Sequence, residues 1–278
     1  MNILEKIVAH KRTEIAAAKA QVSLADLEKS THFAQMSLSL KNRLLEAQNS
    51  KYGAGIIAEF KRKSPSKGII NDQMSPEIVT RGYTDAGASG LSVLTDSAFF
   101  GGTFADFSAA RAANLRTPML RKDFMVDEYQ LWEAKALGAD VILLIAACLS
   151  PQEINHLAKQ AHALDMEVLL EVHDRQELET SLCQHVDMVG VNNRNLKSFV
   201  TRIETSLELV SLIPDEFIKI SESGLRDAET MLKLRDAGYC GFLIGETFMA
   251  TDDPGATLAD LLNTLSQQTI VVTMSSPN

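Results

Sequence analysis

Eight short apolar runs follow one another between Gly55 and Ile244 at intervals of about 27 residues. Each run is apolar throughout, which is typical of parallel strands that are covered on both faces. The interval matches a strand together with the amphipathic helix that follows it. The runs are Gly55–Phe60, Leu91–Thr95, Met119–Lys122, Asp140–Ile145, Glu167–Val172, Met188–Val191, Phe217–Ile220 and Gly241–Ile244. The sequence therefore predicts eight consecutive β-α units.

Helix signals lie between these runs. Ser75 precedes a proline, as an N-cap precedes the first helical position. The segments 150–153 (SPQE) and 205–208 (TSLE) have the spacing of a capping box. Gly138 and Gly238 stand where a helix would end before the next strand. These signals favour a helix after each strand.

Eight β-α units in order predict an α/β fold of the (β/α)8, or TIM, barrel type. The alternative is a doubly wound open sheet, but the sequence has no GxGxxG, and Gly53-Ala54-Gly55 precedes a strand rather than following one. Residues 1–52 carry apolar residues at helical spacing and no strand pattern, so we expect a helical N-terminal extension packed on the barrel. The barrel is predicted at 53–265 and a C-terminal tail at 266–278.

Composition excludes several classes of function. Asp and Glu outnumber Lys and Arg by 36 to 27, a formal net charge of −9, which argues against nucleic acid as a partner. The longest apolar run, Val141–Leu149, is far shorter than the roughly 20 residues of a membrane span. Three cysteines without paired spacing fit a reducing compartment. We expect a cytoplasmic protein without a membrane partner, a monomer with an oligomer as the open alternative.

Polar residues end most of the apolar runs. The active sites of TIM barrels lie at the carboxyl-terminal ends of the strands, so these side chains are predicted to share one rim. They are Glu59, Lys61, Lys122, Glu171, Asn192 and Glu222. Lysines and carboxylates at close quarters shift each other's pKa values and suit proton transfer near neutral pH. The histidines and cysteines have no metal-ligand spacing, so no metal is predicted.

Glycines and a serine follow the last two runs. Ser223-Gly224 and Gly245 would present backbone N–H groups where barrel enzymes often bind phosphate. We therefore expect a phosphate-binding loop pair. Basic residues near the same rim predict a local cationic patch that attracts an anionic substrate despite the negative net charge. They are Lys61, Arg62, Lys63, Lys67, Arg121, Lys122 and Arg194.

The run-one segment 56–66 (IIAEFKRKSPS) closely resembles the signature of the indole-3-glycerol phosphate synthase family, a barrel enzyme of tryptophan biosynthesis. The resemblance covers nearly the whole chain, including the helical extension. It continues through 94–96, 99–102, 120–124, Glu171, 190–196, 221–224 and 243–245. It implies a single-function enzyme, a carbon–carbon lyase (carboxy-lyase) that uses no cofactor.

The family's substrate is 1-(2-carboxyphenylamino)-1-deoxyribulose 5-phosphate. An aromatic carbon attacks the sugar ketone, CO2 leaves, water leaves, and indole-3-glycerol phosphate remains. The resemblance implies that Lys122 is the general acid of ring closure and Glu171 the base of dehydration. Glu59 would orient the sugar hydroxyls and the lysines, and Asn192 would hold a sugar hydroxyl. Lys61 would pair with the substrate carboxylate or phosphate and donate a proton in dehydration.

The remaining implied residues bind the two ends of the substrate. Arg194 would steady its loop and the carboxylate end. The benzene slot would consist of Phe99, Phe124 and Leu196. The phosphate site would consist of Ser64, Ser223, Gly224, Gly245 and Glu246, and Glu222 is a further substrate-binding residue. Many relatives carry a small hydroxyl residue at the position of Glu246, so we expect its backbone N–H to bind phosphate while its carboxylate faces solvent or a cation.

Two alternatives stay open at this point. A phosphoribosyl-sugar isomerase barrel would share the phosphate site and could use Glu59 and Glu171, but it has no evident need for both Lys61 and Lys122. A non-catalytic sugar-phosphate-binding barrel would keep the phosphate site and lose the acid–base residues.

Overall fold

Eight parallel strands close into a barrel in the computed structural model, which describes residues 2–196 and 198–275. The barrel strands are β1 (Gly55–Phe60), β4 (Gly90–Leu94), β5 (Met119–Lys122), β6 (Val141–Ile145), β7 (Glu167–Val172), β8 (Met188–Asn192), β9 (Ile218–Glu222) and β10 (Gly241–Ile244). The short strands β2 (Lys63–Ser64) and β3 (Gly68–Ile69) form an antiparallel hairpin after β1. Strand β1 pairs with β4 on one side and β10 on the other, which closes the ring. The predicted barrel is confirmed, with a strand at each of the eight runs.

Helices surround the barrel and precede it. They are α1 (Ile3–Gln21), α2 (Leu24–Leu27), α3 (Leu40–Gln48), α4 (Pro76–Ala86), α5 (Ser97–Phe100), α6 (Phe104–Ala113), α7 (Tyr129–Leu137), α8 (Pro151–Ala163), α9 (Arg175–Ser181), α10 (Glu204–Leu209), α11 (Ala228–Ala237), α12 (Glu246–Met249) and α13 (Pro254–Ser275), with 3-10 turns at Ala146–Cys148 and Val210–Leu212. Within the described residues, no helix is both long and apolar enough to span a membrane.

The helix signals of the sequence are borne out with one exception. Ser75 caps α4 and Ser150 forms a capping box with Glu153 at α8, while Gly138 ends α7 in the left-handed region. The capping box predicted at Thr205 is wrong, because α10 already begins at Glu204. The neighbouring hydroxyl of Ser206 is buried and shares hydrogen bonds with Asn193 and Ser221, so tertiary contacts decide how this helix starts.

Alternate strand residues enter two separate cores. In β6, Val141, Leu143 and Ile145 pack inside the barrel, whereas Ile142 and Leu144 pack outward against the helices. This division explains why the strands are apolar throughout, since both faces of each strand are covered. It also fixes the positions whose side chains point along the barrel interior toward the carboxyl-terminal rim.

The N-terminal helices lie at opposite ends of the barrel. Ile3, Leu4 and Ile7 of α1 line a cavity at the carboxyl-terminal rim. Leu40 and Leu44 of α3 are fully buried in the interior core at the other end.

Two glycines at the starts of strands leave room for α3. A Cβ at Gly90 would lie 2.4 Å from Leu40 Cδ1, and a Cβ at Gly55 would lie 2.6 Å from Leu44 Cδ2.

The predicted domain boundaries at residues 52 and 265 stay a prediction. Helix α13 continues through Ser275, so the segment predicted as a tail is helical there, and 276–278 lie outside the described residues.

A carboxylate at the start of β7 holds the N-terminus of α3. Glu167 accepts hydrogen bonds from the hydroxyl of Ser39 and from the backbone N–H groups of Leu40 (2.9 Å) and Lys41 (3.0 Å). The carboxylate therefore satisfies helix donors that lack partners within α3. Burial raises the pKa of Glu167, although these hydrogen bonds oppose the shift.

We expect Glu167→Gln to lower the free energy of unfolding by about 1–3 kcal/mol, because an amide offers one acceptor oxygen where the carboxylate offers two. The matched control is Glu46→Gln in the same helix, where the side chain is exposed and pairs with Arg43 at 3.8 Å. That change should stay within about 0.5 kcal/mol. Urea unfolding of both variants measures the difference, and equal losses would contradict the assigned role of Glu167.

Candidate functional site

A cavity of about 390 Å³ lies at the carboxyl-terminal rim of the barrel. Of the residues that the sequence predicts for the site, all but Phe99 line it. The lining residues among them are Glu59, Lys61, Ser64, Lys122, Phe124, Glu171, Asn192, Arg194, Leu196, Glu222, Ser223, Gly224, Gly245 and Glu246. The strand order brings together side chains that are more than a hundred residues apart in sequence.

The charged residues occupy interior-facing positions of their strands. Glu59 stands two residues after Ile57, Lys122 two after Leu120, and Glu171 two after Leu169, and the three apolar residues belong to the interior core. Because side chains alternate along a strand, the charged residue two positions on points the same way. Along each of these strands, the interior-facing side chain is thus apolar at one position and charged two residues later, at the rim.

Three carboxylates surround the ammonium of Lys122. Its Nζ lies 2.8 Å from Glu222 Oε2, 3.7 Å from Glu171 Oε2 and 3.8 Å from Glu59 Oε2. Lys61 pairs with the other oxygen of Glu59, at 2.8 Å. Two cations and three anions therefore share one buried cluster. Within the described part of the chain, no group of three or more His, Cys, Asp or Glu residues could hold a metal ion.

Burial and neighbouring charges shift the pKa values of Lys122, Glu59 and Glu222. Burial alone would lower the pKa of Lys122, but the charges of Glu222, Glu59 and Glu171 raise it above its ordinary value. Burial would raise the pKa of Glu59, but Lys61 and Lys122 hold it below the usual range. For Glu222 burial dominates and raises the pKa to about 6, against the attraction of Lys122. Lys122 is therefore a protonated acid at neutral pH.

Asn192 links the cluster to the loop after β8. Its Nδ2 donates to Glu171 Oε1 at 3.0 Å, and its Oδ1 accepts the backbone N–H of Arg194 at 3.0 Å. Gly190, on the same interior row, leaves space for a neighbour, since a Cβ there would lie 2.3 Å from Glu222 Oε1. The amide thus fixes the orientation of the Glu171 carboxylate.

The loops after β9 and β10 border the other end of the cavity. Ser223 and Gly224 both have positive φ (69° and 76°), which turns successive backbone N–H groups to the same side. Such a turn is a concave site for an anion. Helix α12 begins at Glu246 directly after Gly245. The arrangement can accept a phosphate group through backbone donors.

The Glu246 carboxylate lies between two cations. Arg194 Nη2 donates to its Oε2 at 3.0 Å, and Lys67 Nζ lies 3.5 Å from its Oε1. Burial would raise the pKa of Glu246, but Arg194 and Lys67 lower it. The Glu246 carboxylate therefore pairs with two cations, Arg194 and Lys67, that lie beside the candidate anion site.

Phe99 lies elsewhere than expected. Its ring packs edge-on against His10 of α1 at 5.8 Å, while the next residue, Phe100, lines the cavity and contacts Phe124 with ring centroids 6.0 Å apart. The reason is α5, whose N-cap Asp96 binds the N–H groups of both phenylalanines and starts a helical turn there. Neighbours in a helix point in directions about 100° apart, so only one of the two faces the cavity.

The predicted cationic patch also needs correction. Arg121 stands one residue before Lys122 and therefore points out of the barrel, where it is 1% exposed and pairs with Asp123 at 3.1 Å. Arg62 pairs with Asp106 at 2.7 Å outside the cavity. Of the basic residues named, Lys61, Lys122 and Arg194 line the cavity.

Sequence reasoning missed the contribution of α1. Its Ile3, Leu4 and Ile7 form part of the apolar cavity wall, and their helical spacing was the available signal. Lys11 is buried and lies 3.1 Å from Asp96 Oδ2 and 3.0 Å from Asp123 Oδ1. Burial would lower the pKa of Lys11, but these two charges raise it. No sequence signal distinguished this lysine from the exposed ones of α1.

Solved structures with the same fold include two barrels of low sequence identity. One is 3-hexulose-6-phosphate synthase from Salmonella typhimurium (TM-score 0.62, 12% identity, 77% of this chain and 99% of that one). Another is the tryptophan synthase alpha subunit from Legionella pneumophila (TM-score 0.59, 12% identity, 84% of this chain and 100% of that one). At these identities the likeness concerns the fold alone.

Proteins found by sequence comparison share a much higher identity with this chain. A protein named indole-3-glycerol phosphate synthase from Bacteroides thetaiotaomicron is 46% identical over 264 residues, covering 95% of this chain and 99% of the relative. One of the same name from Verminephrobacter eiseniae is 44% identical over 265 residues, covering 94% and 98%. The family model described as indole-3-glycerol phosphate synthase matches residues 4–261. With this match along nearly its whole length, the chain belongs to the indole-3-glycerol phosphate synthase family.

Proposed function

We propose that this chain converts 1-(2-carboxyphenylamino)-1-deoxyribulose 5-phosphate into indole-3-glycerol phosphate in tryptophan biosynthesis, without a cofactor. Family membership supports the reaction. The observation that carries it is the cavity itself, in which one protonated lysine lies among three carboxylates, between an apolar wall and the glycine-containing loops after β9 and β10. A monomer in the cytoplasm remains our expectation for its state and location.

Ring closure needs an acid at the sugar ketone. As the aromatic carbon attacks, negative charge develops on the ketone oxygen, and the Lys122 ammonium donates a proton to it. The C–C bond forms and the oxygen becomes a hydroxyl; the carboxylate then leaves as CO2 and returns its electron pair to the ring. The raised pKa of Lys122 keeps the proton in place until the oxygen becomes basic.

Dehydration needs an acid and a base. The C–OH bond breaks as a lysine protonates the leaving hydroxyl, and Glu171 removes the N–H proton so that the nitrogen electrons stabilise the carbon left behind. Transfer of one methylene C–H proton to the nitrogen then forms the indole double bond. Lys61 is our candidate for this second acid, since Glu59 holds its ammonium at 2.8 Å. Asn192 fixes the base and stabilises developing charge. In sum, the turnover takes up one proton, because the carboxylate is lost as CO2.

The two ends of the cavity fit the two ends of the substrate. Phe124, Phe100 and Leu196 would contact the benzene ring. Arg194, which pairs with Glu246 beside the proposed phosphate loops, would attract an anionic group of the substrate. Ser64 with the backbone groups of Ser223, Gly224, Gly245 and Glu246 would bind the phosphate. Glu222 would hold Lys122 in place and contact a sugar hydroxyl.

The direct test adds this substrate to the purified chain and follows the absorbance and fluorescence of the indole product. An isomerase would consume a phosphoribosyl sugar instead, and a non-catalytic barrel would bind sugar phosphates without turnover. The lysine pair and the carboxylates favour the synthase. Binding of the substrate with no indole formed would overturn the proposal.

We expect Lys122→Met to lower kcat by about 100- to 10,000-fold, or roughly 3–5 kcal/mol, because a positioned general acid is lost while the side-chain stem remains. Lys159→Met, on the exposed face of α8, is the control and should keep parental kcat. Steady-state kinetics and thermal unfolding of both variants separate chemistry from folding. A Lys122→Met enzyme within tenfold of the parent would remove Lys122 from the acid role.

For Glu171→Gln we expect a large loss of kcat with little change in KM, because the base acts after binding. The amide can still accept the Asn192 hydrogen bond, so the geometry is kept. Glu179→Gln, an exposed residue of α9, serves as control. If KM rises while kcat stays at the parental value, Glu171 binds the substrate and is not the base.

For Glu246→Gln we expect KM to fall by roughly two- to fivefold with kcat nearly unchanged. The carboxylate competes with an anionic substrate for Arg194 and Lys67, and half-exposed pairs are worth about 0.2–1 kcal/mol. Glu229→Gln, exposed on α11, should change neither constant. A raised KM would mean that the Glu246 ion pairs order the loops for binding.

A further inference from the structure

A buried histidine lies behind the Glu171 carboxylate and outside the cavity lining. His173 stands two residues after Glu171 on the interior-facing row, and its side chain is 9% exposed. Its Nε2 lies 3.4 Å from Glu171 Oε1 and makes no hydrogen bond to any described residue. A buried ring nitrogen without a partner is uncommon and calls for an explanation.

The other side of the ring is firmly held. Nδ1 lies 3.1 Å from Glu177 Oε2 in the first turn of α9, and the same oxygen accepts the backbone N–H of His173 at 2.8 Å. Because that carboxylate oxygen only accepts, Nδ1 carries a hydrogen. The imidazole therefore bridges two carboxylates, with Nε2 directed at the residue proposed as the base.

The charges around the ring favour the imidazolium. Burial would lower the pKa of His173, but the hydrogen bond with Glu177 and the charges of Glu171, Glu177 and Glu222 raise it. Lys122, 3.7 Å from Glu171, is one of the two cations of the same cluster. Cys148 lies on the 3-10 turn beside β7 and α9, and burial raises the pKa of its thiol to about 12, so it stays neutral.

We propose that His173 is a positioning residue for the base: as an imidazolium fixed by Glu177, it pairs with the Glu171 carboxylate and orients it for removal of the N–H proton. The proposal rests on the dehydration step assigned above. When the imidazole loses its proton, two lone pairs face each other across 3.4 Å and Glu171 loses a charge partner. A cation this close to a carboxylate favours the charged form.

The first test is the pH profile of kcat for His173→Gln, which retains an amide donor but carries no charge. Without the cation, the Glu171 carboxylate loses a charge partner that lies 3.4 Å away. The acidic limb of the profile should therefore move up by about one pH unit, while KM, which depends on cavity residues, stays nearly unchanged. His162→Gln is the control, since His162 contacts Asp187 at 2.9 Å far from the cavity, and its profile should match the parent.

The second test does not need activity. By linkage, Glu171→Gln must lower the pKa of His173 by the amount that the imidazolium favours ionised Glu171. NMR titration of the His173 ring protons in the substrate-free parent and in Glu171→Gln should show a fall of about one unit. Glu177→Gln should lower the same pKa, and it replaces His173→Gln if that variant does not fold.

An acidic limb that stays in place in His173→Gln with a uniform loss of kcat would make His173 merely structural and overturn the inference. An unchanged His173 titration in Glu171→Gln would overturn it as well. A parent that forms no indole would instead refute the proposed function, and the NMR titration would still decide the His173–Glu171 coupling.

Discussion

The closed ring of backbone hydrogen bonds is the constraint on which the site depends. Strand β1 pairs in parallel with both β4 and β10, so all eight strands point the same way around one axis. Residues that end the strands must then meet at one rim, whatever their distance in sequence. Glu59 and Glu222 lie on opposite ends of the chain's barrel segment, yet both reach the Lys122 ammonium within 4 Å. No flexible segment has to bring them together.

The rim concentrates charge where water is excluded, and this has an energetic consequence. Desolvating two ammonium groups and three carboxylates costs free energy that their mutual attraction only partly offsets. The raised pKa of Glu222 is the visible sign of that cost. The apolar rows below the rim, with Leu120, Leu169 and Ile57 fully buried, supply the stability that tolerates it.

The barrel and most of the rim residues could be predicted from the sequence, because both follow from the regular spacing of apolar and polar residues. The spacing of the strands predicts the fold. The alternation of side chains along a strand predicts that Lys122 points into the barrel, and the same alternation predicts that Arg121 points outward, where it is buried. Local sequence patterns did not predict those positions whose conformation or burial depends on contacts with other parts of the chain. Phe100 replaces Phe99 at the cavity because Asp96 starts a helical turn. The start of α10 depends on Ser206 meeting Asn193, and the burial of Lys11 depends on carboxylates over 80 residues away.

The helix α3 has a further consequence for how the molecule assembles. Its Leu44 approaches both Gly55 of the first barrel strand and Gly241 of the last, so it bridges the seam where the ring closes. Of the two strands that form this seam, β1 is synthesised first and β10 last, with nearly the entire barrel between them in sequence. Contacts of such long range form slowly, and domains of this size commonly pass through partly folded states. The apolar side of α3 thus has its full binding surface only once the last strand has been synthesised, and until then part of that side stays exposed to water.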